Sequence, residues 1–301
     1  MTTLINRWAV AALLAAGFLV LAACSKEEPA GASQADAAEA GTLEKARKSG
    51  RIRIGYANEA PFAYFDSGSN RLTGESPEIA RVILGQLGVP EVEGVLTEFG
   101  ALIPGLQAGR FDLIAAGMYI LPKRCEQVIF SNPSYTIGQA FLVRVGNPKN
   151  LHAYADVAAS SDATIGVVAG AVEREYARKS GIPDDRVVVF PNPPSALAGV
   201  ESARVDAFAA TSLTAQTLLS RSQDAKVERA TPFSDPVIDG KPIRGYGAFA
   251  FRKTDAQFAK RFNAELAKFI GTPEHFKVVG EFGFSQGELA VEKSTDELCR
   301  G

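Results

Sequence analysis

Short β-branched runs alternate with helical patterns along this chain, in two successive blocks, and that alternation restricts it to an α/β architecture. In the first block Arg51–Tyr56 reads as a strand. A helix opens at Ser76 and Pro77, proline being tolerated in a first turn where amides lack partners. Its apolar positions Ile79, Val82, Ile83 and Leu87 recur at helical spacing, and Gly88 ends it. Val92 to Thr97 reads as a strand, Ala101 to Gly109 as a helix, and Asp112 to Ala116 as a strand closed by Gly117. The second block repeats the pattern. Strands are expected at Ala163 to Val168, Val187 to Phe190 and Asp206 to Ala210. Helices are expected at Gly170 to Lys179, Ser195 to Ala203 and Thr214 to Ser220. A final strand, Gly245 to Phe251, precedes helices from Asp255 to Ile270 and Pro273 to Gly280.

Gln139 to Val145 and Tyr246 to Phe251 flank the second block and read as a pair of crossover strands joining two lobes. The first lobe is then discontinuous, residues 45–142 and 247–301, and the second spans 146–242. A cleft between such lobes is a common seat for a small ligand.

The N-terminus reads as targeting sequence, to be set aside before fold reasoning. Arg7 supplies a positive flank, Ala9 to Val20 an apolar run too short to span a bilayer comfortably, and Leu21-Ala22-Ala23-Cys24 a cysteine directly after small residues. That pattern resembles a bacterial lipobox, which implies cleavage after residue 23 and lipid on Cys24. Residues 24–44 lack a run of large apolar side chains and read as a flexible tether between lipid and folded body.

Composition narrows the partners. A net charge of −2, from 32 basic and 34 acidic residues, offers no field for nucleic acid. With Cys24 lipidated, Cys125 and Cys299 remain, either as a disulfide, which an oxidising compartment favours, or as two buried thiols. A disulfide would pin the C-terminal tail near Arg124. His152 and His275 sit far apart in polar contexts and read as surface residues without metal spacing. No phosphate-cradling loop, catalytic triad or zinc motif is visible, so neither a cofactor nor a metal is expected.

Weak motifs in a fixed order carry more than any one of them. They are Gly55-Tyr56 with Pro61-Phe62, Gly74 with Ile79-Ala80, Leu106 to Asp112, Ala116-Gly117-Met118, Arg124 before Phe130 to Tyr135, Gly166-Val167 with Gly170, and Gly199 with Arg204 to Ala207. In order and spacing the chain resembles the extracellular solute-binding proteins that serve polar amino acid ABC transporters. The resemblance implies a two-lobe periplasmic-binding-protein fold that closes on its ligand and docks on a transporter permease. A monomer is expected of a molecule that must open and close. Ala57 to Phe62, Gly94 to Gly100, Ala115 to Ile120, Arg124-Cys125-Glu126, Gly170 to Glu173 and Asp235 to Gly240 are most similar to binding proteins for ectoine and 5-hydroxyectoine.

The resemblance implies a site. Arg124 would grip a ligand carboxylate with its guanidinium fork. The turn at Gly170, Ala171 and Val172 would add backbone amides from the second lobe. Phe62, Phe99 and Tyr119, at loop positions after strands beside Gly117, would enclose a delocalised cation against their ring faces. Thr211 stands where amino acid binders carry an aspartate for the α-ammonium. Either the ligand lacks a free ammonium, or an acid such as Glu59 takes over; Glu59 would in any case balance a cationic ring. Glu173 reads as a rim contact or a favourable first-turn acid. Two other readings keep the fold: a binder of a polar amino acid or betaine, and an enzyme resembling cyclohexadienyl dehydratases with Glu59 or Glu173 as general acid.

Overall fold

The computed structural model describes residues 41–222, 226–290 and 292–301; the expected signal peptide, the expected lipidation at Cys24 and the expected tether up to residue 40 lie outside the described residues. The described residues belong to one compact unit. Its elements run in chain order α1 (Thr42–Ser49), β1 (Arg51–Tyr56), β2 (Tyr64–Asp66), β3 (Arg71–Thr73), α2 (Glu75–Gln86), β4 (Glu91–Leu96), α3 (Leu102–Gln107), β5 (Leu113–Tyr119), α4 (Pro122–Cys125), β6 (Ile129–Phe130) and β7 (Tyr135–Ile137). Then come β8 (Gln139–Arg144), α5 (Tyr154–Ala159), β9 (Ile165–Val168), α6 (Glu173–Lys179), β10 (Val187–Phe190), α7 (Pro193–Glu201), β11 (Ala207–Thr211), α8 (Ser212–Arg221) and β12 (Val227–Arg229). The hairpin β13 (Val237–Ile238) and β14 (Lys241–Pro242), β15 (Gly245–Phe251), α9 (Ala256–Phe269), α10 (Pro273–Gly280) and α11 (Thr295–Arg300) complete the described body.

Two sheets organise these elements. The first has the order β4-β1-β5-β15-β6, with β7 also on β15; the second has the order β10-β9-β11-β8-β12. In each, three strands are parallel (β4, β1, β5 and β10, β9, β11) and the rest join antiparallel. Both sheets are covered on both faces, which is what parallel strands require. β15 is buried along its whole length. Phe249 and Phe251 pack to one side and Ala248 and Ala250 to the other, the period of two that a strand dictates. In α9, Phe258, Phe262, Leu266 and Phe269 recur at helical spacing and bury against that aromatic side, with Phe262 centred 4.8 Å from Phe249. In the second sheet Phe141 and Val143 of β8 face one core while Ala140 and Leu142 face the other.

The strands Gln139 to Val145 and Tyr246 to Phe251 do not pair with each other. β8 pairs with β11 and β12 in the second sheet, and β15 pairs with β5, β6 and β7 in the first. The chain therefore leaves the first sheet at Gly138, earlier than the crossing read at 142–146. It returns at Gly245, which lies opposite Ile137. Apart from Gln139 and Arg144 both strands are apolar, so their pattern carries no information about which partner they take. The tether also ends earlier than residue 44. Thr42 begins a helix whose Leu43 and Ala46 are buried, and the Thr42 hydroxyl donates to Asp255 at 2.7 Å.

Cys125 and Cys299 form a disulfide. It joins α11 to α4, and the Thr295 hydroxyl adds a bond of 2.8 Å to the Ser131 carbonyl. His275 is buried in α10 rather than exposed. Its Nδ1 accepts from the Gly271 amide at 3.2 Å, and burial lowers its pKa below the usual imidazole value. No helix among the described residues is long and apolar enough to cross a membrane. The described residues also hold no cluster of metal-ligating side chains.

Candidate functional site

The parallel strands β1, β4, β5, β9 and β11 end along one line, and the residues that follow them converge there, as ligand sites in open α/β sheets do. After β1 the backbone of Glu59 exchanges hydrogen bonds with that of Ala63, at 2.8 and 2.9 Å, a tight loop that presents Glu59 and Phe62 together. After β4, Phe99 opens a single helical turn. β5 does not stop at Gly117. It passes through an irregularity in its pairing with β15, where Ala248 faces Met118 but Ala250 faces Ile114, and runs on to Tyr119. Gly117 has φ +64°, and a Cβ there would lie 2.6 Å from the Phe62 ring. Only glycine allows both the left-handed turn and that approach.

Glu59, Phe62, Phe99, Gly117, Tyr119, Arg124, Val172 and Thr211 line one small cavity of about 40 Å³, together with Ala116, Ala171 and Glu173. Of the expected residues only Gly170 is absent from the wall. It has φ +77°, and its missing Cβ would lie 2.5 Å from the Cα of Gly100, so backbone meets backbone where the two halves touch. Its role differs from the expected amide donor. Gly170 offers its carbonyl, which accepts from Arg124 Nη2 at 2.9 Å, and the neighbouring Ala171 amide donates to the Val168 carbonyl at 3.2 Å. α6 starts only at Glu173, three residues later than its apolar pattern suggested.

Arg124 is buried. Nη1 donates to the Tyr119 carbonyl at 2.9 Å, and the guanidinium carbon lies 5.5 Å from the centre of the Phe99 ring. It forms no ion pair among the described residues, so its charge is met by carbonyl dipoles and a ring face. Burial lowers its pKa, and nearby Glu173 opposes that shift.

Two carboxyls, Glu59 and Glu173, line the same cavity, and Glu173 is near enough to Arg124 to act on its charge. Glu59 accepts from the Thr214 hydroxyl at 2.7 Å; Thr214 in turn accepts from the Thr211 hydroxyl at 2.9 Å. Thr211 is also the N-cap of α8, its oxygen taking the Thr214 amide at 3.1 Å. Thr214 thus links position 211 to the Glu59 carboxyl, which comes from the loop after β1 of the other sheet. Burial raises the Glu59 pKa, opposed by the Thr214 bond. Glu173 is pushed up to about 7 by burial and, to a lesser extent, by Glu59, against its own backbone N–H, Arg124 and Gln139. Gln139, with its amide nitrogen turned inward, donates to Glu173 Oε1 at 3.0 Å. The Tyr119 hydroxyl is buried without a partner among the described residues.

A second polar layer fixes the floor. The Gly117 amide donates to Ser76 Oγ at 3.1 Å, Ser76 Oγ to Glu75 at 2.5 Å, and Ser134 Oγ to Glu75 at 2.8 Å. Tyr135 Oη closes the ring on the Gly117 carbonyl at 2.8 Å. Glu75 is fully buried and raised to about 7 by that burial. The sequence reading missed this layer, and it missed Thr214 and Gln139. Thr214 alone left a trace, a hydroxyl three residues after a strand-ending threonine.

Residues 52–281 match the bacterial extracellular solute-binding proteins, family 3. The chain is 42% identical over 269 residues to the probable amino-acid ABC transporter periplasmic-binding protein y4tE of Sinorhizobium fredii (strain NBRC 101917 / NGR234), covering 88% of each. It is similar to the crystal structure of EhuB in complex with hydroxyectoine, with 36% identity, a TM-score of 0.78, and 85% of this chain and 97% of that chain covered. An ancestral amino acid-binding protein, AncCDT-1, described as a precursor of cyclohexadienyl dehydratase, gives 27% identity and a TM-score of 0.69 over 80% of this chain and 99% of that one. Family match, two-sheet topology and the cavity at the strand ends agree: the chain belongs to the family 3 extracellular solute-binding proteins and serves an amino-acid-type ABC importer.

Proposed function

We propose that this protein captures ectoine or 5-hydroxyectoine outside the cytoplasm, as a lipoprotein anchored through Cys24, and passes it to the permease of an ABC importer. One observation carries the reading: a single cavity combines a buried arginine without an ion-pair partner among the described residues, three aromatic rings and carboxyls from both sheets. Arg124 takes the ligand carboxylate in place of its carbonyl partners. Phe62, Phe99 and Tyr119 enclose a cyclic amidinium, and Glu59 accepts from its N–H groups. The likeness to EhuB with hydroxyectoine supports the same ligand class.

The position of Glu59 favours a second reading. With that carboxyl tied to Thr214 at the start of α8, a primary ammonium also finds a counter-ion there, so a polar amino acid fits the same cavity. Calorimetric titration of the ligand-stripped protein separates the two. Tight binding of ectoine, with weak or absent binding of glycine betaine, proline, histidine and glutamine, supports the first. Binding of a free amino acid without an ectoine signal overturns it. Turnover of prephenate or arogenate in the same sample would convert a binding site into a catalytic one.

A further inference from the structure

Resting on that reading of the ligand, we propose that Glu173 is a second cation-binding carboxylate, sharing the cavity with Glu59, that selects for a cation with two diverging N–H groups over a fully alkylated nitrogen. Glu173 begins α6, is 5% exposed and lines the cavity wall. Glu59 reaches the same space from the loop after β1, so the two acids belong to different sheets.

Charge defines the task. Arg124 contributes one positive charge, and Glu59 and Glu173, when ionised, contribute two negative ones. Once a ligand carboxylate engages Arg124, both acids are left to face the ligand cation. Glu59 accepts from Thr214, and Glu173 accepts from the Gln139 amide and from its own backbone N–H; all of these donors are neutral. Buried carboxylates so placed need further hydrogen-bond donors or a cation. The unpartnered Tyr119 hydroxyl in the same wall marks one more polar group without a mate among the described residues. A cyclic amidinium offers two N–H groups diverging from one delocalised charge, one for each acid. A quaternary ammonium offers none, and would leave both carboxylates desolvated without hydrogen bonds.

The arrangement also couples binding to protons. The charged or titratable groups around Glu173 are Glu59, Arg124, Tyr119, Tyr135, Tyr154 and Tyr176. Burial raises all four tyrosines, so they stay neutral below the alkaline range. In the empty cavity Glu173 titrates at about 7. A cation beside it lowers that value, so binding expels a proton. Affinity is then full above neutral pH and falls, at most tenfold per unit, as acid protonates Glu173.

The test compares wild type with Glu173→Gln, using ectoine and glycine betaine as probes, at about pH 8 and about pH 5.5. Wild type should bind ectoine at least about tenfold more weakly at the acid value. Glu173→Gln should lose about tenfold at the alkaline value, flatten the pH dependence and narrow the preference over betaine. Calorimetry of the unaltered protein in buffers of different ionisation enthalpy should detect proton release near neutral pH, which does not depend on the variant folding. Ectoine binding by Glu173→Gln within twofold of wild type at both pH values, or no proton release from wild type, overturns the proposal alone. A wild type that binds no ectoine overturns the ligand reading and this proposal with it.

Discussion

Arg124 holds its place by donating to two carbonyls, one from each side of the cavity, while leaving its charge unpaired. Removing it costs the ligand carboxylate its fork and leaves the Tyr119 and Gly170 carbonyls unsatisfied. Arg124→Ala should weaken ligand binding at least tenfold by calorimetry, and Arg124→Lys should recover little, because an ammonium cannot reproduce two parallel bonds. Glu75 makes a prediction of a different kind. As a buried acid raised to about 7, it contributes stability that is fully present below its unfolded value near 4.5 and lost as pH rises through 7. Glu75→Gln lacks that titration. Its melting temperature relative to wild type should therefore climb between about pH 5 and pH 8, with up to about 3 kcal/mol at stake. The first layer of the cavity was legible through the family resemblance because its residues lie at strand ends or in the segments that follow them. Thr214 and Gln139 were not, since Thr214 bonds a residue 155 positions away and Gln139 hides within an apolar strand.

Among the elements, periodicity located the long strands and helices of both sheets but not their ends or partners. β5 was read as stopping at Gly117 because glycine usually punctuates a strand; here it marks an irregularity that turns Tyr119 into the cavity wall. β8 and β15 flank the second block and were read as a pair of crossover strands; each instead takes its partners within its own sheet, which sequence pattern does not encode. His275 was read as exposed from polar neighbours along the chain, whereas α10 buries it through neighbours in space. The tail was better served by its chemistry. The Cys125–Cys299 link spans 174 residues and ties α11 to the short helix that carries Arg124. Replacing both cysteines with serine should cost about 2–4 kcal/mol in denaturant unfolding. Ligand affinity should also fall, since the Arg124 helix loses its brace. Unchanged affinity in the double variant would confine the disulfide to a stabilising role.

At the scale of the whole molecule, bonds from Arg124 to Gly170 and from Thr214 to Glu59, with Gly100 against Gly170, hold the two halves closed over the cavity. The contact at Gly170 has no room for a side chain. Gly170→Ala should cut ligand affinity by at least tenfold and enlarge the radius of gyration measured with ligand by small-angle scattering. Part of any stability loss would come from the left-handed backbone at that residue. A variant that binds and compacts like wild type would show that closure tolerates a wider gap. One geometric detail has a genetic consequence. Ile137 and Gly245 are neighbours across the first sheet, so residues 138–244 enter and leave it through adjacent positions, like a passage spliced into a finished sentence. A short Asn-Gly turn should suffice to rejoin the ends. The resulting miniature keeps Phe62, Phe99, Tyr119 and Arg124 on one sheet, and a dispersed amide spectrum from it would show that the second half was added to a fold already able to stand alone.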